Sequence, residues 1–460
     1  MNPITAGPEV QPYFSQLPKA WQSRQKLAWE NYKKIPMPHR KDEDWRFANI
    51  NSIQLEPYHY GTSFASEEKN EVIKQSKVPF PTAASLVFLN DEWLGLELTN
   101  KTLGKKGVVI STLSEAIQKH PSLIENYFLK QRVALGSEKF TALHEAFCSS
   151  GSVMYIPAGV EIEEPIVIFQ WLSGKNQAIF PHTMVVTEPN SKVTVFEICQ
   201  STQEVPGFVC SYNDLVANPS SHLTYVCSQR WSEKTLAFHM GTTTVERDAY
   251  AKTLMINLGT AFSRNENRSR LTGTGANSEM LAMSIAHGTQ EFDQRTLQDH
   301  LAPQAWSDLL YKNSLNHRAK SIFQGLIRVE PGAKQTDAYQ TNRNLLLSNE
   351  AEADSMPGLE ILNDDVKCSH GATTGQVEEE LLFYMRTRGI RENQAKHLLV
   401  VGFLEEVVKR LNYEPIANYL HELIEEKFER SEKMIWRLDT SEKPEVSKTE
   451  LDVKTLQGAV

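Results

Sequence analysis

No Cys-x-x-Cys pair occurs in this chain of 460 residues. Its five cysteines (Cys148, Cys199, Cys210, Cys227 and Cys368) are odd in number and scattered. That spacing suits free thiols in a reducing compartment and argues against a disulfide framework or a closed tetrahedral zinc site. The first 30 residues lack a basic start followed by an apolar run, and no stretch approaches 18 apolar residues. Both absences point away from secretion and membrane spanning, so the expectation is a cytoplasmic protein. Positive charge is short as well: a net charge of -9 leaves no basic field for phosphate backbones and argues against nucleic acid as the main partner. Enzyme signatures are missing too. Gly273-Thr274-Gly275 has no Gly-Lys-Ser/Thr ending and reads as a turn, no Gly-x-Ser-x-Gly elbow occurs, and Asp364-Asp365 has no visible acid/base partner. The histidines His144, His182, His222, His239, His287, His300 and His317 form no His-x-His or His-x-x-x-His pair and read as structural or surface residues.

The length admits two to four domains, each able to bury its own core. Over residues 18–34 apolar side chains fall at helical spacing (Trp21, Leu27, Trp29, Tyr32), and Pro36 and Pro38 end the pattern. In Asp42-Glu43-Asp44-Trp45-Arg46-Phe47 the two aromatics read as core contacts of a helix edge. The polar stretch to about Phe80 is expected to be partly mobile; short strands at 84–89 and 107–110 then flank a helical stretch near 113–129.

From about Thr141 the texture changes to short β-branched and aromatic runs between turn residues: 152–157, 165–171, 183–186, 192–198 and 223–228. Small or polar positions recur at Ser221, Ala249, Asn277, Ala305 and Ala333, each 28 residues after the last, with Ala319 at a half interval. A fixed period of that size carried by strands marks stacked coils, each handing its edges to the next. Residues 141–375 therefore read as a parallel β-helix with two strand-bearing halves per coil. A β-sandwich, with hairpins every 8–12 residues or so, is the alternative. Helical spacing returns at Gln376 (Val377, Leu381, Tyr384, Met385), with Gly389 as a stop, then at 396–411 (Leu398, Val401, Leu404, Val408, Leu411) and 416–428. The expected organisation is a helical and mixed region at 1–140, the β-helix at 141–375, a helical domain at 376–440 and a disordered tail at 441–460.

Cys368 and His370 stand two apart, so on a strand both point to one side. Thiolate and imidazole ligate iron or zinc, but two ligands make no site, and a buried cysteine beside a hydrogen-bonded histidine is the plainer reading. Larger words surround the pair: Pro331-Gly332-Ala333, Asp337-Ala338-Tyr339-Gln340-Thr341, then Asn342-Arg343-Asn344-Leu345-Leu346-Leu347-Ser348. Next come Asp364-Asp365-Val366-Lys367-Cys368-Ser369-His370-Gly371-Ala372-Thr373-Thr374-Gly375 and Glu380-Leu381-Leu382-Phe383-Tyr384-Met385-Arg386-Thr387-Arg388-Gly389-Ile390. With Glu43-Asp44-Trp45-Arg46-Phe47 upstream and Gly402-Phe403 downstream, these words resemble the SufB/SufD family of iron–sulfur cluster assembly proteins, most closely its SufD branch. SufB-like chains typically read Glu-His-Glu-Ala-Thr-Thr where this chain has Ser369-His370-Gly371-Ala372-Thr373-Thr374, and carry an upstream cluster-building cysteine; here no cysteine lies between Cys227 and Cys368.

The resemblance implies a right-handed parallel β-helix flanked by N-terminal and C-terminal helical regions. It also implies a scaffold subunit without catalytic turnover, paired with SufB and held by two copies of the ATPase SufC. Such a chain binds no cofactor tightly by itself; a transient iron–sulfur cluster forms at the SufB interface, and iron acquisition is a related role. His370 is then the metal-binding residue facing the partner, with Cys368 beside it, and Phe383, Tyr384, Arg386 and Arg388 mark the SufC-docking helix. Two rival expectations are a free-standing homodimer serving as a SufC-binding or iron-binding adaptor, and a β-helix enzyme acting on polysaccharide, which should carry carboxylates on one face of successive coils.

Overall fold

A parallel strand satisfies its backbone only with a neighbour on each side, so short strands joined by turns stack when successive coils have nearly equal length. The computed structural model, which describes residues 2–5, 17–61 and 64–441, has this arrangement. The stretch expected to be disordered lies, from residue 442 on, outside the described residues.

The N-terminal part contributes strands β1 (Asn2–Pro3), β2 (His59–Tyr60), β3 (Ala84–Leu89), β4 (Glu92–Leu98) and β5 (Val109–Thr112), and helices α1 (Lys19–Lys34), α2 (Ser66–Gln75), α3 (Leu113–Lys119), α4 (Pro121–Tyr127) and α5 (Glu138–Phe147). The coils begin with β6 (Gly151–Ile156), β7 (Ile166–Leu172), β8 (Gln177–Ile179) and β9 (His182–Thr187). Strands then alternate between two sheets. One receives β10 (Lys192–Ser201), β12 (His222–Arg230), β14 (Tyr250–Asn257), β16 (Asn277–Ala286), β18 (Trp306–Leu315), β20 (Thr336–Leu346) and β22 (Val366–Gln376). The other receives β11 (Gly207–Ala217), β13 (Leu236–Val245), β15 (Phe262–Leu271), β17 (Glu291–His300), β19 (Lys320–Val329) and β21 (Glu352–Ile361). All coil-to-coil pairings are parallel, as the repeat predicted, and β3 joins the first sheet beside β7. The C-terminal helices are α6 (Glu379–Thr387), α7 (Glu392–Lys409) and α8 (Glu414–Ser441).

The period has a local cause. Asn190, Ser220, Asp248, Gly275, Gln304 and Gln335 all adopt left-handed backbone, with φ between 55° and 71°. Each is followed by a small, buried residue: Ser191, Ser221, Ala249, Ala276, Ala305 and Thr336. The left-handed N–H groups reach the next coil, as in Ser220 N to Arg247 O (2.9 Å), Asp248 N to Thr274 O (3.0 Å) and Gly275 N to Pro303 O (3.2 Å), so the corners form a ladder. Register steps vary: His222 pairs Tyr250, Tyr250 pairs Asn277, Asn277 pairs Trp306 and Trp306 pairs Asp337. A strict 28-residue repeat therefore drifts. Ser221, Ala249 and Ala305 are corners as expected, whereas the corner expected at Asn277 is Ala276 and the one expected at Ala333 is Thr336.

Helical layers cover both outer faces. Trp29, Phe140 and Phe147 of α1 and α5 pack on Phe180, Phe208 and Phe238 of the larger sheet, with Phe140 stacked on Phe238 at 3.6 Å. On the other sheet, Val400, Leu404 and Val407 of α7 and Leu420 and Leu423 of α8 cover Phe196, Ile198, Leu254 and Leu281. Leu398, expected on that apolar stripe, is 53% exposed; Val400 and Val407 take the buried side. Two helices escaped prediction. All residues of α5 from Lys139 to Phe147 are buried, so it has no stripe to read, and α2 is polar with one buried side chain, Val72.

The N-terminal layer is also pinned by charge. The fully buried Arg264 guanidinium bonds Glu266 Oε1 (2.7 Å) and Asp293 Oδ2 (2.6 Å), donates to the carbonyls of Asp44 (2.8 Å) and Leu135 (2.7 Å), and lies 3.8 Å over Trp45. Trp45 is thus the core residue its sequence suggested, and Gly136 is required beside it: at φ 108°, a Cβ there would fall 2.7 Å from Arg264 Nη2.

Arg264→Ala takes the cation from the buried Glu266 carboxylate, which keeps the Ser137 hydroxyl, leaves Asp293 to Arg295, and should lower the unfolding free energy by about 3–5 kcal/mol in a urea titration. Lys119→Ala, which removes an exposed pair with Glu115, should leave the midpoint in place; equal losses in the two variants would show that the buried cluster pins nothing. A second expectation concerns acid. Burial pulls His300 down to about 4 from 6.5, so the unfolded chain takes up this proton first and stability falls as pH drops from about 6.5 to about 4. His300→Gln should therefore lose about 2–3 kcal/mol less than the parent between pH 7 and pH 4; an unchanged acid limb would assign the proton uptake to other groups.

Candidate functional site

The solenoid ends on two strands that lack an outer neighbour. Among the described residues β22 pairs β20 alone and β21 pairs β19 alone, leaving edges of eleven and ten residues open. On β20 the alternation is strict: Ala338, Gln340, Asn342 and Asn344 are buried toward the lumen, and Tyr339 and Arg343 face out. The register sets Cys368 beside Ala338, His370 beside Gln340, Ala372 beside Asn342 and Thr374 beside Asn344. Parallel neighbours in register face one way, so Cys368 and His370 continue columns of the lumen. His370 stands exposed because no further coil covers it.

Those columns change character along the solenoid. The one that ends in His370 runs Val195, Tyr225, Thr253, Met280, Leu309, Gln340. Another runs Asn257, Ser284, Asn313, Asn344, Thr374, bonded from Asn257 Nδ2 to Ser284 Oγ (3.2 Å), Asn313 Nδ2 to Asn344 Oδ1 (2.9 Å) and Asn344 Nδ2 to Thr374 Oγ1 (3.3 Å). The column that ends in His370 is thus largely apolar as far as Leu309 and polar at the open end, where Gln340 Oε1 and, in the next column, Asn342 Nδ2 are buried without a hydrogen bond among the described residues.

Cys368 is the one cysteine of five that is not fully buried. Partial burial, then the nearby Asp337 carboxylate, push its thiol up from the ordinary value, so it is a thiol rather than a thiolate at neutral pH. No third histidine, cysteine or carboxylate of the described residues joins Cys368 and His370 closely enough to complete a metal site.

Beside the rim, α6 ends at Gly389 (φ 85°), the stop its sequence announced, but carries no buried residue. Phe383 and Tyr384 are 69% and 56% exposed. Phe383 and Arg386 line a cleft of ≈ 540 Å³ with Leu346, Leu347, Gln376 and Lys396, and Arg388 lies 5.3 Å over the Tyr384 ring on the open side. Arg386 reaches Glu392 at 3.9 Å.

The residues that sequence reasoning overlooked lie elsewhere. His144 and Cys148, one helical turn apart at the end of α5, meet His182 of β9 inside the molecule, with ligand atoms all within 4.8 Å of one another. The His-x-x-x-Cys spacing stands in the sequence, but the helix that sets the two one turn apart left no stripe to read, and His182 joins them only through the docking of α5 on the sheet.

Comparison with known proteins agrees with these features. Residues 170–403 match the family model described as SUF system FeS cluster assembly, SufBD core domain, and residues 14–168 match the SufBD protein N-terminal region. Iron-sulfur cluster assembly protein SufD of Bacillus subtilis is 27% identical over 416 residues, covering 89% of this chain and 94% of that protein. A SufBD family protein of Synechocystis is 28% identical over 398 residues, 84% and 85% of the two chains. One of Staphylococcus epidermidis is 27% identical over 318 residues, 68% of each.

The burial pattern sets an expectation for thiol labelling. A neutral thiol reagent should modify one cysteine of the native protein, Cys368, and all five after denaturation, and Cys368→Ser should abolish the native reaction. Native labelling at Cys148, Cys199, Cys210 or Cys227, counted by mass spectrometry, would contradict the described core.

Proposed function

The chain belongs to the SufBD family of iron–sulfur cluster assembly proteins, and from that premise we propose that it is a SufD-like, non-catalytic scaffold subunit that pairs through its open rim with SufB. The observation that carries this reading is the last coil. Two long, parallel edges with unpaired N–H and C=O groups are an aggregation hazard unless covered, and a sister solenoid ending in the same way supplies the missing strands by β-addition. The nascent iron–sulfur cluster is cargo at that junction. This chain offers it the His370 imidazole and the Cys368 thiol from the lumen face, and the remaining ligands come from SufB. The same pair is where iron would enter through this subunit.

Docking of SufC is assigned to α6 and the neighbouring cleft, where an exposed Phe383, the Tyr384–Arg388 pair and Arg386 form an aromatic and cationic surface with no element of the described residues packed over it. The sequence has no phosphate-loop motif, so the nucleotide-driven motion arises in SufC and reaches the rim as a shear between two solenoids. Five free thiols suit the cytoplasm as the place of work. No helix of the described residues is long and apolar enough to cross a membrane. Without SufB, the open edges favour pairing with a second copy, which gives the homodimer its physical basis.

The decisive variant is His370→Ala, which removes an exposed side chain and should leave folding intact. In complex purified with SufB and SufC, bound iron and sulfide should fall severalfold while subunit stoichiometry holds. Unchanged iron and sulfide in an intact complex would remove His370 from the ligand set.

A further inference from the structure

We infer that His144, Cys148 and His182 form a second, internal metal site, for a borderline divalent cation such as zinc, that clamps the N-terminal helical layer onto the solenoid. His144 Nδ1 lies 2.7 Å from the carbonyl oxygen of Cys210. A carbonyl can only accept, so Nδ1 carries the hydrogen, and in a neutral ring Nε2 is left with a lone pair. On the opposite side His182 Nε2 stands 3.2 Å from Asp214 Oδ2, within ion-pair reach although not aligned as a hydrogen bond. The two inner nitrogens, His144 Nε2 and His182 Nδ1, face each other at 3.1 Å, so in the metal-free pair His182 Nδ1 donates to His144 Nε2.

A divalent cation held by both inner nitrogens would take the place of that hydrogen, which would move to His182 Nε2 beside Asp214. A metal ion fits the donor set. Two imidazoles and a thiol converge, and the outer nitrogen of each ring is faced by a carbonyl or a carboxylate, the surroundings in which metal-bound histidines are oriented. The Cys148 sulfur makes only a long contact, 3.7 Å, to the Ser150 carbonyl; a metal would displace the thiol proton and take the thiolate.

All three side chains are fully buried. Access is closed by α1, whose Gln25 and Trp21 side chains donate to the Cys148 carbonyl at 3.1 and 3.4 Å. The ion would therefore be enclosed as the N-terminal layer docks, joining α5 to β9. Three protein ligands leave the fourth corner of a tetrahedron to an enclosed water or hydroxide.

Cobalt(II) reports this geometry, because a thiolate ligand gives it an intense near-ultraviolet charge-transfer band. The full-length chain would be produced in cobalt-supplemented medium and purified without chelator. The expected result is about one cobalt per chain with the thiolate band, retained in Cys368→Ser/His370→Ala and lost in Cys148→Ser and His182→Gln. Retention in the rim double variant separates this site from the one proposed at the SufB junction, and that comparison holds even if a core variant fails to fold. A chain without cobalt, or a band that disappears with Cys368, would overturn the inference and leave a metal-free array in which the two histidines bond each other directly.

Discussion

A parallel coil cannot satisfy its own backbone. Each strand of this solenoid bonds to the coil before and the coil after, and the left-handed corners from Asn190 to Gln335 repeat the same transfer at the turns. Every structural feature of consequence follows from where that chain of borrowing starts and stops. At the start it is closed by antiparallel pairs, β3 with β4 and β5 with β6. At the other end, among the described residues, β21 and β22 pass their edges to nothing. The asymmetry leaves one end of the solenoid capped and, among the described residues, the other with open strand edges.

The two flanks are fastened by different physics. The C-terminal helices lie on the smaller sheet through an aliphatic seam, Val400, Leu404 and Val407 over Leu254 and Leu281. The N-terminal layer adds buried polar fastenings to its aromatic stack: the Arg264, Glu266 and Asp293 cluster below Trp45, and the histidines around Cys148. Buried charge is weak evidence for net stability, but it is intolerant of misplacement, so it fixes which surface the layer sits on. On the other flank α6 carries no buried side chain and lies less embedded than α7.

Much of this was legible in the residues, for reasons that can be named. The coil period shows because each corner demands a small residue after a left-handed one, and that demand writes itself into sequence at Ser221, Ala249 and Ala305. It slipped at Asn277 because coil lengths differ by a residue or more, and a fixed interval cannot follow them. The facing of Cys368 with His370 was legible from strand alternation alone. By contrast, α5 left no trace, since a helix buried all round looks like any apolar run, and the exposed Leu398 was misread as core because helical spacing gives a stripe without saying which neighbour will cover it.

Sequence by itself therefore determined what depends on neighbours a few positions apart: strand and corner alternation, helix stops such as Gly389, and the words that tie the chain to its family. Only tertiary structure decided that Gln340 and His370 share a column, that this column turns polar at its open end, and that His144, Cys148 and His182 converge under α1. These depend on which distant surfaces meet, and that is set by the accumulated length of whole coils and by the packing of layers, quantities that no local pattern records.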